Sequence, residues 1–386
     1  MKAGRDVVIA GVGLTRFNTY DGKNAERPFK EFYDLGSEAI LKALDNAEMQ
    51  WKDIEAAFCG SVYSGTASGH QVIGKVGMTG IPIVNVENAC SSGSSAFRLA
   101  CQMVAVGLHD IVLAAGFEKM PSGFIQSTAW PEWERVLGFN VQPAAYAMGA
   151  VRYMEETGAT EEDFALVTVK NRKNGALNPN ARLQKEITKE EVLSSRMIAK
   201  PLRLLHSCPL ADGGGAIILC SKDKIKNTSK MVTVAASVLT SGTYGHTYYG
   251  GGSVKIKTKD TIEISAEQAW AESGFGPEDM DVVQAYDTMS AGELWDLEKL
   301  GFCGKGDAPK RLREGYFDIN GKLPVNTDGG LMSRGHALGA TALAQIIEIY
   351  YQIRGEAGAR QVQNAKVGLA HSMGAGPNSG VVILKR

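Results

Sequence analysis

Apolar and polar positions alternate between two periods along most of this 386-residue chain. Residues 6–12 form a short apolar run closed by glycine, the pattern of a buried strand, and residues 32–47 keep one apolar face at helical spacing. A polar turn at 51–55 leads to a second apolar run at 56–60, and a Gly/Ser-rich loop covers 61–69. The β-branched run from Ile83 then reaches Cys90, followed by Ser91, Ser92, Gly93, Ser94 and Ser95. Ala96, Phe97, Leu99, Ala100, Met103 and Val104 next repeat at helical spacing, and a strand pattern follows at 110–115. Strands alternating with helices predict an α/β architecture.

From 118 to 205 the alternation stops, and the segment reads as a mostly helical insertion. The strand pattern resumes at 211–219, and a charged connector follows at 222–230. Residues 232–235 then resemble the opening strand, 261–273 the first helix, and 276–283 the polar turn and second strand. The order recurs, which predicts two pseudo-repeated halves. The expected division is 1–117 with 206–225, an insertion at 118–205, and a second half at 230–386.

Composition narrows the setting. Acidic and basic residues nearly cancel, leaving a net charge of −1, so neither nucleic acid nor a membrane surface is an expected partner. Six cysteines are scattered without a CxxC pair, which argues against a disulfide framework or a zinc site and for a reducing compartment. No signal-peptide core, peroxisomal terminus or membrane-length apolar run is visible, and a cytoplasmic protein is expected.

A cysteine in a strand-to-helix turn feels the positive end of the helix and nearby backbone N–H groups, both of which favour thiolate. Small neighbours admit a substrate, so Cys90 reads as a nucleophile. A small buried residue at a junction is the plainer alternative. In the second half, residues 326–341 form a glycine-dense turn holding His336 and feeding another helix. That histidine can either activate a thiol or cap a helix. The last segment, through His371, Ser372 and Gly374, is a strand into a glycine turn whose N–H groups can hold an oxyanion.

Three glycine turns in this order, one with Cys90 and two with histidines, resemble the thiolase superfamily over essentially the whole chain. Residues 88–93 match its nucleophile motif, and 326–339 match NxxGGxxxxGHPxG with Ala337 in place of proline. Residues 283–289 resemble the sterol-carrier-protein-type and archaeal-type branch, which carries His-Asp-Cys-Phe where this chain has Tyr286, Asp287, Thr288 and Met289. Ser372 stands where acetyl-transferring members place a second cysteine. Neither usual position of the acid/base cysteine therefore holds one.

The resemblance implies an α/β thiolase-like fold with a layered αβαβα core and a loop-domain insertion. It implies an acyltransferase that cleaves a 3-oxoacyl-CoA through a Cys90 acyl-enzyme, with coenzyme A as co-substrate and no bound cofactor or metal. Cys90 and His336 would be catalytic; Tyr286, His371, a water held by His336 or the loop histidine His246 would supply the missing proton transfer; and Gly374, His246 and Asn326 would contact substrate. Aromatic residues of the insertion and of 244–249 belong either to core and dimer interface or to a pocket for a bulky acyl group. The 286–289 motif points to the benzoylsuccinyl-CoA thiolase type, with Arg152, Arg172 or Lys255 available to a substrate carboxylate. A homodimer and a small zinc-ribbon/OB-fold partner subunit, which would supply any zinc, are also implied. The competing expectations are a condensing synthase on the same fold and a non-catalytic scaffold.

Overall fold

The computed structural model describes residues 4–123, 132–138, 140–225, 231–242, 259–375 and 377–386. The first half runs β1 (Val7–Leu14), α1 (Phe32–Ala47), β2 (Ala56–Gly60), α2 (Ser68–Val76), β3 (Ile83–Val86), α3 (Ser92–Ala105) and β4 (Ile111–Glu118). Between β4 and the next long strand come α4 (Glu132–Val136), α5 (Gln142–Thr157), α6 (Glu161–Ala176), α7 (Lys189–Ser194) and a small ladder of β5 (Met197–Ala199) and β6 (Leu202–Arg203), in the stretch expected to be an insertion. The half closes with β7 (Gly213–Ser221). The second half is β8 (Val232–Ser241), α8 (Thr261–Ser273), β9 (Val282–Gln284), α9 (Ser290–Lys299), α10 (Ala308–Arg313), α11 (Gly330–Arg334), α12 (Leu338–Arg354), β10 (Val367–Gly374) and β11 (Asn378–Lys385).

The strands lie in the order β3-β2-β4-β7-β1-β8-β11-β10-β9. Read outward from the central β1–β8 pair, the two halves repeat one connectivity. Strands β2 and β4 pair in parallel as β9 and β10 do, and β4–β7 is antiparallel as is β10–β11. Even β3 has a counterpart, because Val325 bridges Val283 in parallel at the other end. The halves join through two residue pairs, Val8 with Thr233 and Ile9 with Val232.

Helices α3 and α12 touch strands of both halves, whereas α1 stays on the first and α8 on the second. The result is the expected helix–sheet–helix–sheet–helix layering. The middle layer explains why α12 is buried on nearly every side, with only Tyr351 and Arg354 partly exposed. Its polar residues are partnered inside the protein: Arg360 holds both Glu348 oxygens at 3.0 Å, and Gln345 donates to the His371 carbonyl at 2.8 Å. Glycine permits the closeness of the layers, since a Cβ at Gly116 would lie 2.1 Å from the Gly339 carbonyl oxygen. Among the described residues no helix is long and apolar enough to cross a membrane.

Candidate active site

Cys90 sits between β3 and α3, in a turn that holds itself in place. Ala89 takes a left-handed φ of 49°, and the Ser92 hydroxyl accepts from the Asn88 N–H at 2.9 Å and donates to the Ala89 carbonyl at 2.6 Å. The final glycine turn is pressed onto this one. A Cβ at Gly374 would lie 2.2 Å from the Asn88 carbonyl oxygen, so only glycine fits there.

His336 arrives from the other half, in the link between α11 and α12. Gly335 precedes it with φ 104°, and the His336 N–H donates to the Pro209 carbonyl at 2.9 Å. The imidazole Nε2 lies 3.3 Å from Cys90 Sγ. Its Nδ1 lies 2.8 Å from the Thr341 hydroxyl oxygen, and that hydroxyl donates to the Ala337 carbonyl at 2.8 Å. Having spent its single proton, Thr341 must accept, so Nδ1 carries the hydrogen and Nε2 presents a lone pair to the thiol.

Tyr286 completes the cluster from the loop after β9. Its ring stands edge-on to His336, with centroids 6.0 Å apart at 81°. Its hydroxyl is 3.5 Å from Nε2 and hydrogen-bonds the Cys90 sulfur. Leu331 and Leu338 close an apolar wall around Cys90 and Tyr286, with Val62, Met120, Cys208 and Met373 packed outside.

The electrostatics of the cluster correct one expectation. Burial pushes the Cys90 thiol up to about 11, against the lowering effect of the Tyr286 hydrogen bond. A helix N-terminus offers a charge typically about 0.3–1 kcal/mol, which does not offset that desolvation. Burial, helped by the charge of Arg334, takes His336 down to about 3. Burial and the proximity of Cys90 hold Tyr286 well above the ordinary phenol value. Cys90 is therefore at rest a thiol facing a neutral imidazole and a neutral phenol, not a standing thiolate.

Two expected site residues are diverted. His371 is fully buried with both ring nitrogens engaged, Nδ1 at 2.9 Å from Asp296 and Nε2 at 3.1 Å from the Ser379 hydroxyl. The same Asp296 oxygen accepts from the Tyr286 N–H at 3.3 Å, so His371 braces Tyr286 at one remove instead of reaching Cys90. Asn326 is also spent internally: its oxygen accepts from the Ala285 N–H at 2.9 Å and its amide donates to Glu293 at 2.7 Å. It is a strut between the end of β9 and α9. Ser372 donates to Ser94 of α3 at 3.0 Å. His246, Lys255 and the aromatics at 124, 130, 139, 244, 248 and 249 lie outside the described residues. Arg172 donates to the Lys185 carbonyl at 2.9 Å, and Trp133 is 61% exposed, so it belongs to no core.

Three positioning residues escaped the sequence reading. Thr341 sets the imidazole tautomer; its clue was a hydroxyl four residues after Ala337, able to bond back along the helix. Glu118, the last residue of β4 and fully buried, accepts from the Val62 and Tyr63 N–H groups at 2.9 Å, the Ser64 hydroxyl at 3.1 Å and the Gly339 N–H at 3.1 Å. It thereby ties the loop beside the site to the start of α12, and burial pushes it up to about 7. A carboxylate ending an otherwise apolar strand was its only signal. Asp287 accepts from the Leu331 N–H at 2.7 Å, the Met332 N–H at 3.2 Å and the Asn171 amide at 2.8 Å, holding α11 in front of His336. Behind it, Lys170 of α6 meets Glu293 at 3.0 Å.

Comparison with known proteins agrees with this geometry. Residues 7–223 match the family model "Thiolase, N-terminal domain" and residues 252–386 match "Thiolase C-terminal domain-like". The benzoylsuccinyl-CoA thiolase subunit BbsB of Thauera aromatica is 39% identical over 97% of this chain and 96% of its own. An acetyl-CoA acetyltransferase of Methanothermobacter thermautotrophicus is 38% identical over 96% of each. Among solved structures, an Ltp2–ChsH2(DUF35) aldolase superposes with a TM-score of 0.87 at 28% identity, covering 100% of this chain and 99% of that one. Two family models that together cover nearly the whole chain, with relatives this similar along it, make the protein a member of the thiolase family, an acyltransferase with coenzyme A as its co-substrate.

Proposed function

We propose that the protein cleaves a 3-oxoacyl-CoA with coenzyme A, through an acyl group carried on Cys90, and that the substrate is bulky or aromatic, of the benzoylsuccinyl-CoA type. The observation that carries the reading is the meeting of Cys90, His336 and Tyr286 with Nε2 fixed as an acceptor.

The geometry suits the following course. As Cys90 Sγ bonds to C3 of the substrate, its proton passes to His336 Nε2, 3.3 Å away. The C2–C3 bond then breaks, leaving a thioester on Cys90 and an enolate on the CoA-bearing half. Tyr286, still a phenol, gives its proton to C2 and recovers one from the imidazolium beside it. The shorter acyl-CoA departs. Coenzyme A next attacks the Cys90 thioester, its thiol proton passing through His336 to the cysteine sulfur. Each half-reaction moves one proton, and no second cysteine is required. Backbone N–H groups of Cys90 and Gly374 are the proposed oxyanion donors.

The likeness to a BbsB subunit supports the aromatic assignment, and together with the DUF35-containing neighbour it supports a small zinc-ribbon/OB-fold partner. Strand β3 lies at an open sheet edge with Val84 42% exposed, which supports a homodimer through the Cys90 half. The setting we propose is cytoplasmic.

A second reading is favoured by the missing second cysteine together with the aldolase neighbour. A retro-aldol cleavage of a 3-hydroxyacyl-CoA would need no acyl-enzyme: His336 would take the C3 hydroxyl proton, C2–C3 would break to an aldehyde or ketone and a CoA enolate, and Tyr286 would protonate C2. Intact-mass spectrometry with product analysis, after incubation with aliphatic and aromatic 3-oxoacyl-CoA, 3-hydroxyacyl-CoA and acyl-CoA thioesters, separates the cases, with wild type and Cys90→Ala. Thiolysis predicts an adduct that the variant lacks and one CoA consumed per cleavage. Condensation predicts CoA release, and retro-aldol cleavage predicts product from the 3-hydroxyacyl-CoA alone, with neither adduct nor CoA uptake. No adduct and no product would leave the scaffold reading.

A further inference from the structure

A cavity of about 590 Å³ opens between α5 of the insertion and α8 and α9 of the second half. Its floor is aromatic. Tyr146 stacks on Trp295, with centroids 5.9 Å apart and planes at 14°, and Tyr153 meets Trp295 edge-on at 6.2 Å. Two glycines lie against that floor, at distances where an added methyl would be in ordinary contact with the rings. A Cβ at Gly149 would lie 3.4 Å from the Trp295 ring, and one at Gly292 would lie 3.7 Å from the ring of Tyr146.

The cavity adjoins the reacting cluster. Met373 lines it and also packs against the cluster of Cys90 and Tyr286. Tyr146 accepts from the Thr288 hydroxyl at 2.9 Å, two residues beyond Tyr286. The unbranched Met373 thioether, a side chain that repacks readily, is shared by the cavity lining and the Cys90 cluster.

The rim is charged but already paired. Lys299 meets Asp260 at 2.8 Å, and Arg152 and Lys305 both meet Glu156 at 2.7 Å. Carboxylates in the lining outnumber these cations, because Glu263 and Glu298 are there as well. Among the described residues of the lining, the polyanionic nucleotide end of coenzyme A would find no spare positive charge. A flat, uncharged group makes no such demand and gains burial and stacking against the floor.

We propose that this cavity receives the acyl group carried by Cys90, and that Tyr146 and Trp295 make it select an arylcarbonyl group over acetyl. The proposal rests on the acyl-enzyme reading above and names its acyl class. In a 3-oxoacyl-CoA the group beyond C3 stays on sulfur, so a carboxylate on the other half leaves with coenzyme A and never enters the cavity.

The test is a competition between benzoyl-CoA and acetyl-CoA for Cys90, read as the ratio of the two adducts by intact mass. Wild type is expected to favour benzoyl, and Trp295→Ala and Gly149→Leu are each expected to lower the benzoyl-to-acetyl ratio tenfold or more. Thermal melts accompany each variant, and Trp295→Leu replaces Trp295→Ala if that chain does not fold. A ratio unchanged in both variants overturns the proposal. A tenfold rise in the KM for coenzyme A in Lys299→Ala, with the ratio unmoved by the cavity variants, overturns it and gives the cavity to the nucleotide. A wild type that takes no acyl group from either thioester overturns the acyl-enzyme reading, and the proposal with it.

Discussion

Two buried constellations meet at the turn that carries His336, and they are satisfied in opposite ways. On one side Cys90, His336 and Tyr286 share an apolar wall, and burial keeps all three neutral. On the other, Lys170, Glu293, Asp287, Asn326, Asp328 and Arg334 form a polar brace with a buried ion pair at each end, Lys170 with Glu293 and Arg334 with Asp328. The difference teaches a division of labour. The site keeps few hydrogen bonds, so its protons are free to move onto substrate. The brace has many, so α11 and the His336 turn are held to one geometry.

If that division holds, variants of the brace should lose stability and variants of the site should lose chemistry. The largest effect expected is Glu293→Ala, which strips Lys170 of its carboxylate; removing one partner of a buried pair costs about 3–5 kcal/mol. Urea unfolding measures it, and a midpoint unchanged from wild type would break the comparison on the brace side.

Next comes the pH dependence of Cys90 alkylation by iodoacetamide. With the thiol pushed up to about 11, the thiolate fraction rises roughly tenfold per pH unit below that value, so the rate should climb about a thousandfold from pH 6 to pH 9 without a plateau. A plateau below pH 8 would mean a standing thiolate–imidazolium pair and would sink the neutral-pair description.

Tyr286→Phe keeps the ring against His336 and removes the hydroxyl that would donate the proton. Turnover is expected to fall on the order of 10²–10³ while Cys90 still takes an acyl group from a simple acyl-CoA. Equal loss in both steps would make Tyr286 a structural residue. The smallest effect belongs to Thr341, which touches Nδ1 and not the substrate. Thr341→Val should lower kcat roughly tenfold with little change in KM, and Thr341→Ser should recover it, since one misplaced hydrogen bond is worth about 1.4 kcal/mol per tenfold. A kcat recovered equally by Val and Ser would show that the hydroxyl does not set the tautomer.

Much of this molecule was legible along the chain, and the reason is locality. The Cys90 turn is a strand, a few small residues and a helix, each readable from spacing within about twenty positions. The His336 turn is the same kind of object, with glycines where φ is positive. The repeated order of elements likewise survives in the sequence, because each half must bury its own strands and helices in the same layers.

What the tertiary structure alone decided are partnerships between distant positions. His371 is taken by Asp296, 75 residues away, and Glu118 reaches Gly339 across 221. Asn326 sits inside a matching motif yet spends its side chain on Ala285 and Glu293. The ionisation state of Cys90 is not legible from the helix start for the same reason. Spacing reveals a dipole, but only the assembled layers reveal how completely water is excluded, and desolvation is the stronger of the two. Sequence thus determined which residues stand on which turns, and tertiary packing decided which of them face one another in a dry enough place to react.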